Sequence, residues 1–197
     1  MDKTLLAHNK ALIRKKMRSA LCKMDSTEKE QASLEISHTL ANLLHPLLRD
    51  NSKLTVASFY ALPTEPSIHP LIAQLPLRWL LPHCLKQGEM NFHQISRLSQ
   101  LEVGPYNIPQ PPSSLPIVSP SEIDVFLCPG IAFSPCGLRL GQGGGYYDRI
   151  LNQKSPTAIT IGIGFEIQIL SEIPTLPHDA IMDHVLSETD FYSQRRP

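Results

Sequence analysis

The sequence predicts an α/β fold, a single three-layer domain in which helices flank a mostly parallel β-sheet. Short, wholly apolar runs such as Val125–Cys128 are typical of strands that are buried on both faces. Amphipathic helical segments alternate with these runs, which favours strand–helix–strand units. The chain has no internal repeat and no linker that would divide it, so we expect residues 1–197 to form one domain.

Two helices are expected before the first strand. Apolar side chains recur at helical spacing over about residues 5–24, with basic residues on the outer face. Thr27 and Glu30 have the spacing of a capping box, which predicts the start of a second helix. Pro46 is expected to end or kink that helix, because proline removes a backbone donor and clashes with the preceding turn.

The strands are predicted from runs of β-branched, aromatic or wholly apolar residues. Short helices are expected near Pro70–Gln74 and from about Tyr146 onwards. Six prolines between residues 104 and 120 argue against regular structure there, and a long loop of this kind is more often functional than idle. The predicted strands are Thr55–Tyr60, Arg78–Leu81, Asn91–Ile95, Val125–Cys128 and Ala158–Ile163.

Composition narrows the class of protein. Lys+Arg and Asp+Glu tie at 18 each, so no net field favours nucleic acid or an anionic membrane. No apolar run approaches the ~20 residues of a spanning helix, and the charged N-terminal stretch is unlike a secretory signal. Four cysteines without C-x-x-C spacing indicate neither a zinc site nor a disulfide scaffold. We therefore expect a cytoplasmic globular protein.

Charge is nevertheless segregated along the chain. Residues 1–23 carry seven basic side chains against one acid, whereas residues 161–190 carry six acids and no Lys or Arg. This pattern suits a site that handles a polyanion together with a metal ion, and it equally suits plain surface complementarity.

The most informative segment runs from Pro129 to Asp148. It follows a buried strand, leads into a helix and holds four glycines within the five positions Gly141–Gly145. Glycines let the main chain approach a phosphate closely and present its N–H groups, and a helix N-terminus adds positive potential. The segment is neither a Walker loop nor a dinucleotide fingerprint. It predicts a phosphate-binding loop, the alternative being a flexible strand–helix connection.

Within this segment, Arg139–Asp148 (RLGQGGGYYD) is similar to the most specific motif of the 5-formyltetrahydrofolate cyclo-ligases, also called 5,10-methenyltetrahydrofolate synthetases. Ser134 and His83 depart from that family's pattern, which has Asp and often Arg there. Five further segments resemble the family in the expected order, over nearly the whole chain: Lys10-x-x-x-Arg14, Phe59–Glu65, Tyr106–Pro111, Gly162–Gln168, and His178-Asp179 followed by Asp183–Leu186.

The resemblance implies ATP-driven ring closure of 5-formyltetrahydrofolate to 5,10-methenyltetrahydrofolate, with release of ADP and phosphate. The γ-phosphoryl group would pass to the formyl oxygen and make it a leaving group, and the neighbouring anilino nitrogen would then attack the activated carbon. Catalysis of such a reaction depends mainly on positioning the two substrates and on neutralising the phosphate charge. The implied cofactors are ATP, as co-substrate, and magnesium.

The resemblance also implies roles for individual residues. The catalytic pair is Arg139 and Tyr147. ATP is bound by the first helix and the glycine loop, namely Lys10, Arg14, Arg139, Leu140, Gly141, Gln142, Gly143, Gly144, Gly145, Tyr146 and Tyr147. The folate is bound by Tyr60, Glu65, Tyr106, Gly143, Gly144, Gly145 and Tyr146. Magnesium is held by the hard carboxylate ligands Asp148 and Asp183.

Simpler interpretations stand beside these roles. Lys10 and Arg14 also fit a solvated helix face, Asp148 a helix cap, Asp183 a surface carboxylate and Glu65 an exposed loop residue. The alternative functions are a non-catalytic folate or nucleotide binder, a phosphosugar isomerase and a nucleic-acid-binding module. On the favoured hypothesis the partners are 5-formyltetrahydrofolate and ATP, with no nucleic acid and no membrane, and the chain is a monomer or weak homodimer.

Overall fold

The computed structural model describes residues 3–50, 53–85, 88–176 and 179–194. Four α-helices are present in this part of the chain: α1 (Lys3–Lys23), α2 (Ser26–Asp50), α3 (Pro70–Gln74) and α4 (Tyr146–Leu151). The strands, in chain order, are β1 (Thr55–Ala57), β2 (Arg78–Cys84), β3 (Met90–Ile95), β4 (Glu102–Val103), β5 (Pro109–Gln110), β6 (Ile117–Val118), β7 (Val125–Pro129), β8 (Ala132–Phe133), β9 (Arg139–Leu140), β10 (Ile159–Ile163), β11 (His184–Leu186) and β12 (Phe191–Ser193).

Eight of these strands form one mixed sheet in the order β12-β11-β10-β7-β1-β2-β3-β6. The five central strands, from β11 to β2, are parallel, and antiparallel strands extend both edges. Strands β4 and β5 pair separately, as do β8 and β9. The predicted α/β fold with a mostly parallel sheet is confirmed.

The two faces of the sheet bury different helices, as the period-2 alternation of strand side chains requires. In β7, Val125 and Leu127 belong to the core that includes α1, α2 and α3. Phe126 and Cys128 face the other way, into a core with α4. The wholly apolar sequence of β7 therefore reflects burial on both faces, which places helices on each side of the sheet.

Several boundaries differ from the predictions. The backbone N–H of Thr27 donates to Asp25 Oδ1 at 2.8 Å, so the helix begins at Ser26 and the capping-box assignment is wrong. Pro46 lies inside α2, which continues to Asp50. The strand predicted to reach Tyr60 ends at Ala57, although Ser58 N still donates to Leu80 O at 2.8 Å. Beyond that bond the chain leaves the sheet.

The proline-rich segment is more ordered than expected, because it contains a turn of 3-10 helix at Pro105–Asn107 and the short strands β5 and β6. His83 Nδ1 lies 2.7 Å from Pro111 O, and His93 Nδ1 lies 2.7 Å from Leu115 O. These contacts hold the segment along β2 and β3. No helix in the described ranges is long and apolar enough to cross a membrane.

Candidate active site

A cleft of about 1030 Å³ opens where the parallel strands β1, β2 and β7 end. This is the edge of an α/β sheet at which ligands bind. Its walls come from α1, the loop after β1, the end of β2, residues 105–110, the glycine loop and residues 176–179. The volume is at the upper end of the range for small-molecule sites, so a nucleotide and a second ligand can be accommodated together.

Most of the residues predicted for the site line this one cleft, although they come from distant parts of the sequence. The side chain of Tyr106 lies outside the described part of the chain, as does His178, while Pro105 and Ile108 line the cleft. The predicted residues that line it are Lys10, Arg14, Tyr60, Glu65, Arg139, Leu140, Gly141, Gln142, Gly143, Gly144, Gly145, Tyr146, Tyr147 and Asp148.

Backbone conformation explains the glycines at two positions of the loop. Gly143 has φ +106° and Gly145 has φ +71°. At these positive φ values a residue with a side chain would have a strained backbone. Arg14 Nε donates to Gly141 O at 2.9 Å, and Arg18 Nη2 donates to the Gln142 side chain at 2.8 Å. Helix α1 therefore holds the loop through two guanidinium groups. The pKa of Arg14 is lowered, mainly by burial and to a smaller extent by the nearby charge of Arg18.

Arg149 holds the loop from the opposite side. Its Nη1 donates to Gly144 O at 2.9 Å and to Gly88 O at 2.8 Å, which joins the glycine loop to the β2–β3 turn. Sequence reasoning missed Arg149 and Arg18. A signal existed for Arg18, because it lies one helical turn beyond Arg14 on the same face of α1.

Lys10 is buried, with 8% of its surface exposed, so the interpretation as a solvated helix face is wrong for this residue. Its Nζ lies 2.5 Å from Asp179 Oδ2, which also accepts the backbone N–H of Leu176 at 2.7 Å. The pair joins α1 to the C-terminal wall of the cleft. It also places a carboxylate beside the cation that the resemblance assigns to a phosphate.

Arg139 forms a second charged cluster. Its Nη2 donates to Asp148 Oδ1 at 2.9 Å and its Nη1 to Pro129 O at 3.2 Å. The guanidinium carbon lies 5.3 Å from the centroid of the Tyr147 ring. Arg139 Nε and Tyr147 Oη are buried and have no hydrogen-bond partner among the described residues. Burial raises the pKa of Tyr147 well above its usual value, so the phenol remains a hydrogen-bond donor.

Glu65 also lines the cleft and is partly buried. Its Oε2 accepts the backbone N–H of Leu62 at 3.0 Å. Burial raises the pKa of this carboxyl to about 7, and the hydrogen bond from Leu62 opposes the rise. Tyr60 packs its ring against His69, with centroids 4.4 Å apart. The cleft thus combines cations and a glycine loop with the desolvated carboxyl group of Glu65.

The sequence model of the 5-formyltetrahydrofolate cyclo-ligase family matches residues 7–188. The chain belongs to this family. It is 32% identical to the 5-formyltetrahydrofolate cyclo-ligase of Escherichia coli K12 over 68% of this chain and 77% of that protein. It is 44% identical to the enzyme of that name from Mycolicibacterium smegmatis over 39% of this chain, and spans about 40% of that relative's length.

The fold has a match among solved structures. The NMR structure of Aquifex aeolicus 5,10-methenyltetrahydrofolate synthetase superposes with a TM-score of 0.80 at 24% identity, covering 95% of this chain and 94% of that one. Two features of the sequence that depart from the family pattern are structural here. Ser134 is buried and accepts Leu138 N at 3.1 Å in the β8–β9 hairpin, while His83 contacts Pro111 O and does not line the cleft.

One residue predicted for this cyclo-ligase site is not in it. Asp183 precedes β11, and its Oδ2 accepts both Thr160 N at 2.8 Å and Thr160 Oγ1 at 2.9 Å. These contacts lie at the amino ends of β10 and β11, whereas the cleft lies at the carboxyl ends of the parallel strands. The expected Asp148–Asp183 pair is therefore not formed, and the described residues contain no cluster of three or more metal-ligating side chains.

Arg14→Ala is expected to raise the ATP concentration needed for half-maximal rate about 10- to 100-fold, because a charge-assisted contact contributes roughly 1.5–3 kcal/mol. The variant removes a cation and also the hydrogen bond that holds Gly141. Lys15→Ala, an exposed cation on the same helix outside the cleft, is the matched control. Steady-state titrations of ATP and folate measure both effects; an equal loss for the two substrates would contradict a specific role toward phosphate.

Proposed function

We propose that this chain converts 5-formyltetrahydrofolate to 5,10-methenyltetrahydrofolate at the expense of ATP, with release of ADP and phosphate. The observation that carries the proposal is a single cleft lined by the cations Lys10 and Arg14, by the glycine loop and by Glu65. Membership of the cyclo-ligase family supports the same reaction. The non-catalytic alternative gains no support, since Arg139, Asp148 and the glycine loop are all present.

The proposed reaction begins with a poor electrophile, because the formamide nitrogen donates into its carbonyl group. Transfer of the γ-phosphoryl group to the formyl oxygen converts that oxygen into a leaving group. The neighbouring nitrogen then attacks the formyl carbon and loses its proton, and phosphate departs. Negative charge shifts between phosphate oxygens throughout, so preorganised cations and N–H donors supply most of the stabilisation.

The chain's own residues fit these demands. Lys10, Arg14 and the loop amides neutralise and position the polyphosphate. Arg139 is held by Pro129 O and Asp148, and its unpaired Nε, with the Tyr147 phenol, supplies donors at the reacting phosphoryl oxygens. The Glu65 carboxylate accepts the paired N–H donors of the pterin ring.

Magnesium is also part of the proposal, with Asp148 as its protein ligand. Both of the carboxylate's contacts, from Arg139 and from Ala180 N, use Oδ1. Magnesium commonly takes one or two carboxylates and completes its shell with water and substrate phosphates, so one carboxylate at the phosphate end fits. When bound, the ion would neutralise phosphate charge.

We further infer one domain over residues 1–197, small-molecule partners only, a cytoplasmic location, and a monomer or weak homodimer.

The test is to mix the protein with magnesium, ATP and 5-formyltetrahydrofolate and to follow the near-ultraviolet absorbance of the methenyl product. We expect product only when ATP and a divalent metal are both present, with one ADP formed per product. Omitting ATP, or adding excess chelator, is expected to abolish the rise. Equal rates without nucleotide would overturn the phosphorylation step, and binding of both ligands without turnover would identify a non-catalytic binder.

A further inference from the structure

Gln110 is a cleft residue that the predicted site did not include. It ends β5 in the proline-rich segment, and 7% of its surface is exposed. A Cβ at Gly104 would lie 2.4 Å from Gln110 Cδ, so the absence of a side chain at Gly104 makes room for this amide. The side chain is therefore packed in one place and lines the cleft.

The orientation of the amide follows from the backbone of β2. Cys84 N donates to Gln110 Oε1 at 3.2 Å. The opposite orientation would place the side-chain NH₂ against this backbone N–H, donor against donor. The side-chain oxygen Oε1 of Gln110 therefore faces Cys84, and the NH₂ nitrogen Nε2 lies beside His83.

The histidine next to Nε2 does not provide that partner. His83 Nδ1 lies 2.7 Å from Pro111 O, and because a carbonyl oxygen only accepts, Nδ1 carries a proton. Gln110 Nε2 lies 3.1 Å from this protonated nitrogen and 3.4 Å from His83 Nε2. An atom almost equidistant from both ring nitrogens lies away from the in-plane lone pair of Nε2. The contact is therefore not a hydrogen bond, and the Gln110 NH₂ has no acceptor in the described ranges.

A buried donor without a partner is costly, and a ligand acceptor would remove that cost. The surroundings indicate which ligand. Cys84, Met90 and Pro109 line the same part of the cleft, and none of them is charged, whereas the cations and the glycine loop form the phosphate wall. An apolar pocket with one buried, unpartnered amide donor suits a flat heterocycle with a carbonyl oxygen better than it suits a phosphate.

We propose that Gln110 binds the pterin ring of the folate substrate, its side-chain NH₂ donating to the ring carbonyl oxygen at position 4. This inference rests on the proposed function. Glu65 would accept hydrogen bonds from the donor groups of the aminopyrimidinone edge, and Gln110 would donate to the carbonyl oxygen of the same ring. The two residues together therefore select the 4-oxo ring. A 4-amino ring presents a donor at that position and meets the amide donor to donor.

The experiment compares binding of 5-formyltetrahydrofolate with its 4-amino counterpart, which carries a donor at position 4 and has no proton on N3, so Glu65 contributes to the 4-oxo preference in every variant. Titrations use the wild type, Gln110→Glu, which offers only acceptors, and Gln110→Met, which keeps the length without polarity. The wild type should prefer the 4-oxo ligand. Gln110→Glu should bind that ligand roughly 10-fold or more weakly and narrow the preference by at least the same factor, and Gln110→Met should narrow it by less. Gln153→Glu, exposed and outside the cleft, controls for the added charge.

Thermal melts and ATP binding identify any variant that fails to fold. An unchanged 4-oxo preference in both folded Gln110 variants would overturn the role of Gln110 and leave the proposed function intact. Failure of the wild type to bind 5-formyltetrahydrofolate at all would overturn the proposed function itself. If Gln110→Glu does not fold, a narrowed or an unchanged preference in Gln110→Met decides the matter.

Discussion

Glu65→Gln is expected to weaken folate binding and, at the same time, to stabilise the folded chain above pH 7. Burial raises the pKa of this carboxyl from 4.5 to about 7. Between pH 4.5 and about pH 7, the native state therefore keeps a proton on Glu65 that the unfolded chain has already released. Stability consequently falls as the pH rises through this window, and the loss is complete above about pH 7. Glutamine removes this cost, a gain of up to about 3 kcal/mol at pH 8.

Folate binding should respond in the opposite direction. Glutamine offers one acceptor and one donor where the pterin presents two N–H groups, so we expect affinity to fall about 10- to 100-fold at pH 8. In the wild type, the carboxylate is the binding form, so affinity should rise with pH up to about 7 and then level off. The variant should show no such dependence.

Calorimetric titrations and denaturant unfolding from pH 5 to 8 measure the two effects. Glu102→Gln, at an exposed position outside the cleft, is the control and should change neither. Weaker binding accompanied by lower stability would indicate a structural role instead. Unchanged folate affinity at every pH would mean that another group binds the pterin donors.

The fold could be predicted because its signals are local. The apolar run of β7 requires burial on both faces, and the proline at position 70 begins α3 where expected. The glycine loop was recognisable because positive φ at Gly143 and Gly145 restricts the residue type. Physical requirements of this kind are visible in a few consecutive residues.

The errors at the candidate site came from contacts between distant parts of the chain. Asp183 is bound to Thr160, 23 residues earlier, and its position in the sequence did not reveal at which end of the sheet it would lie. Lys10 pairs with Asp179, 169 residues away, so its burial was not apparent from the pattern of α1. Gln110 was missed for the same reason, because its unpaired donor is defined by Cys84 and His83 on β2.

Arg139→Met is expected to have the largest effect on turnover, a fall of roughly 100- to 1,000-fold, the range for losing a preorganised donor at a developing charge. Arg139→Lys should recover only part of the rate. Lysine retains the charge, but it lacks the planar fork that reaches both Pro129 O and Asp148. Rapid-quench measurement of ADP formation, with ATP and folate saturating, reports the chemical step separately from binding.

Stability separates this role from a structural one. Arg139→Met leaves Asp148 without its ion pair, at a cost of about 1–3 kcal/mol, since the carboxylate keeps 28% of its side-chain surface exposed. Adding Asp148→Asn removes the unpaired charge, so the double variant should regain most of the lost stability. Its turnover should be lower still, because the cation remains absent and the double variant also lacks the proposed magnesium ligand. If Arg139→Lys, which keeps a cation beside Asp148, restored stability and turnover together, Arg139 would serve only to hold Asp148 in the fold.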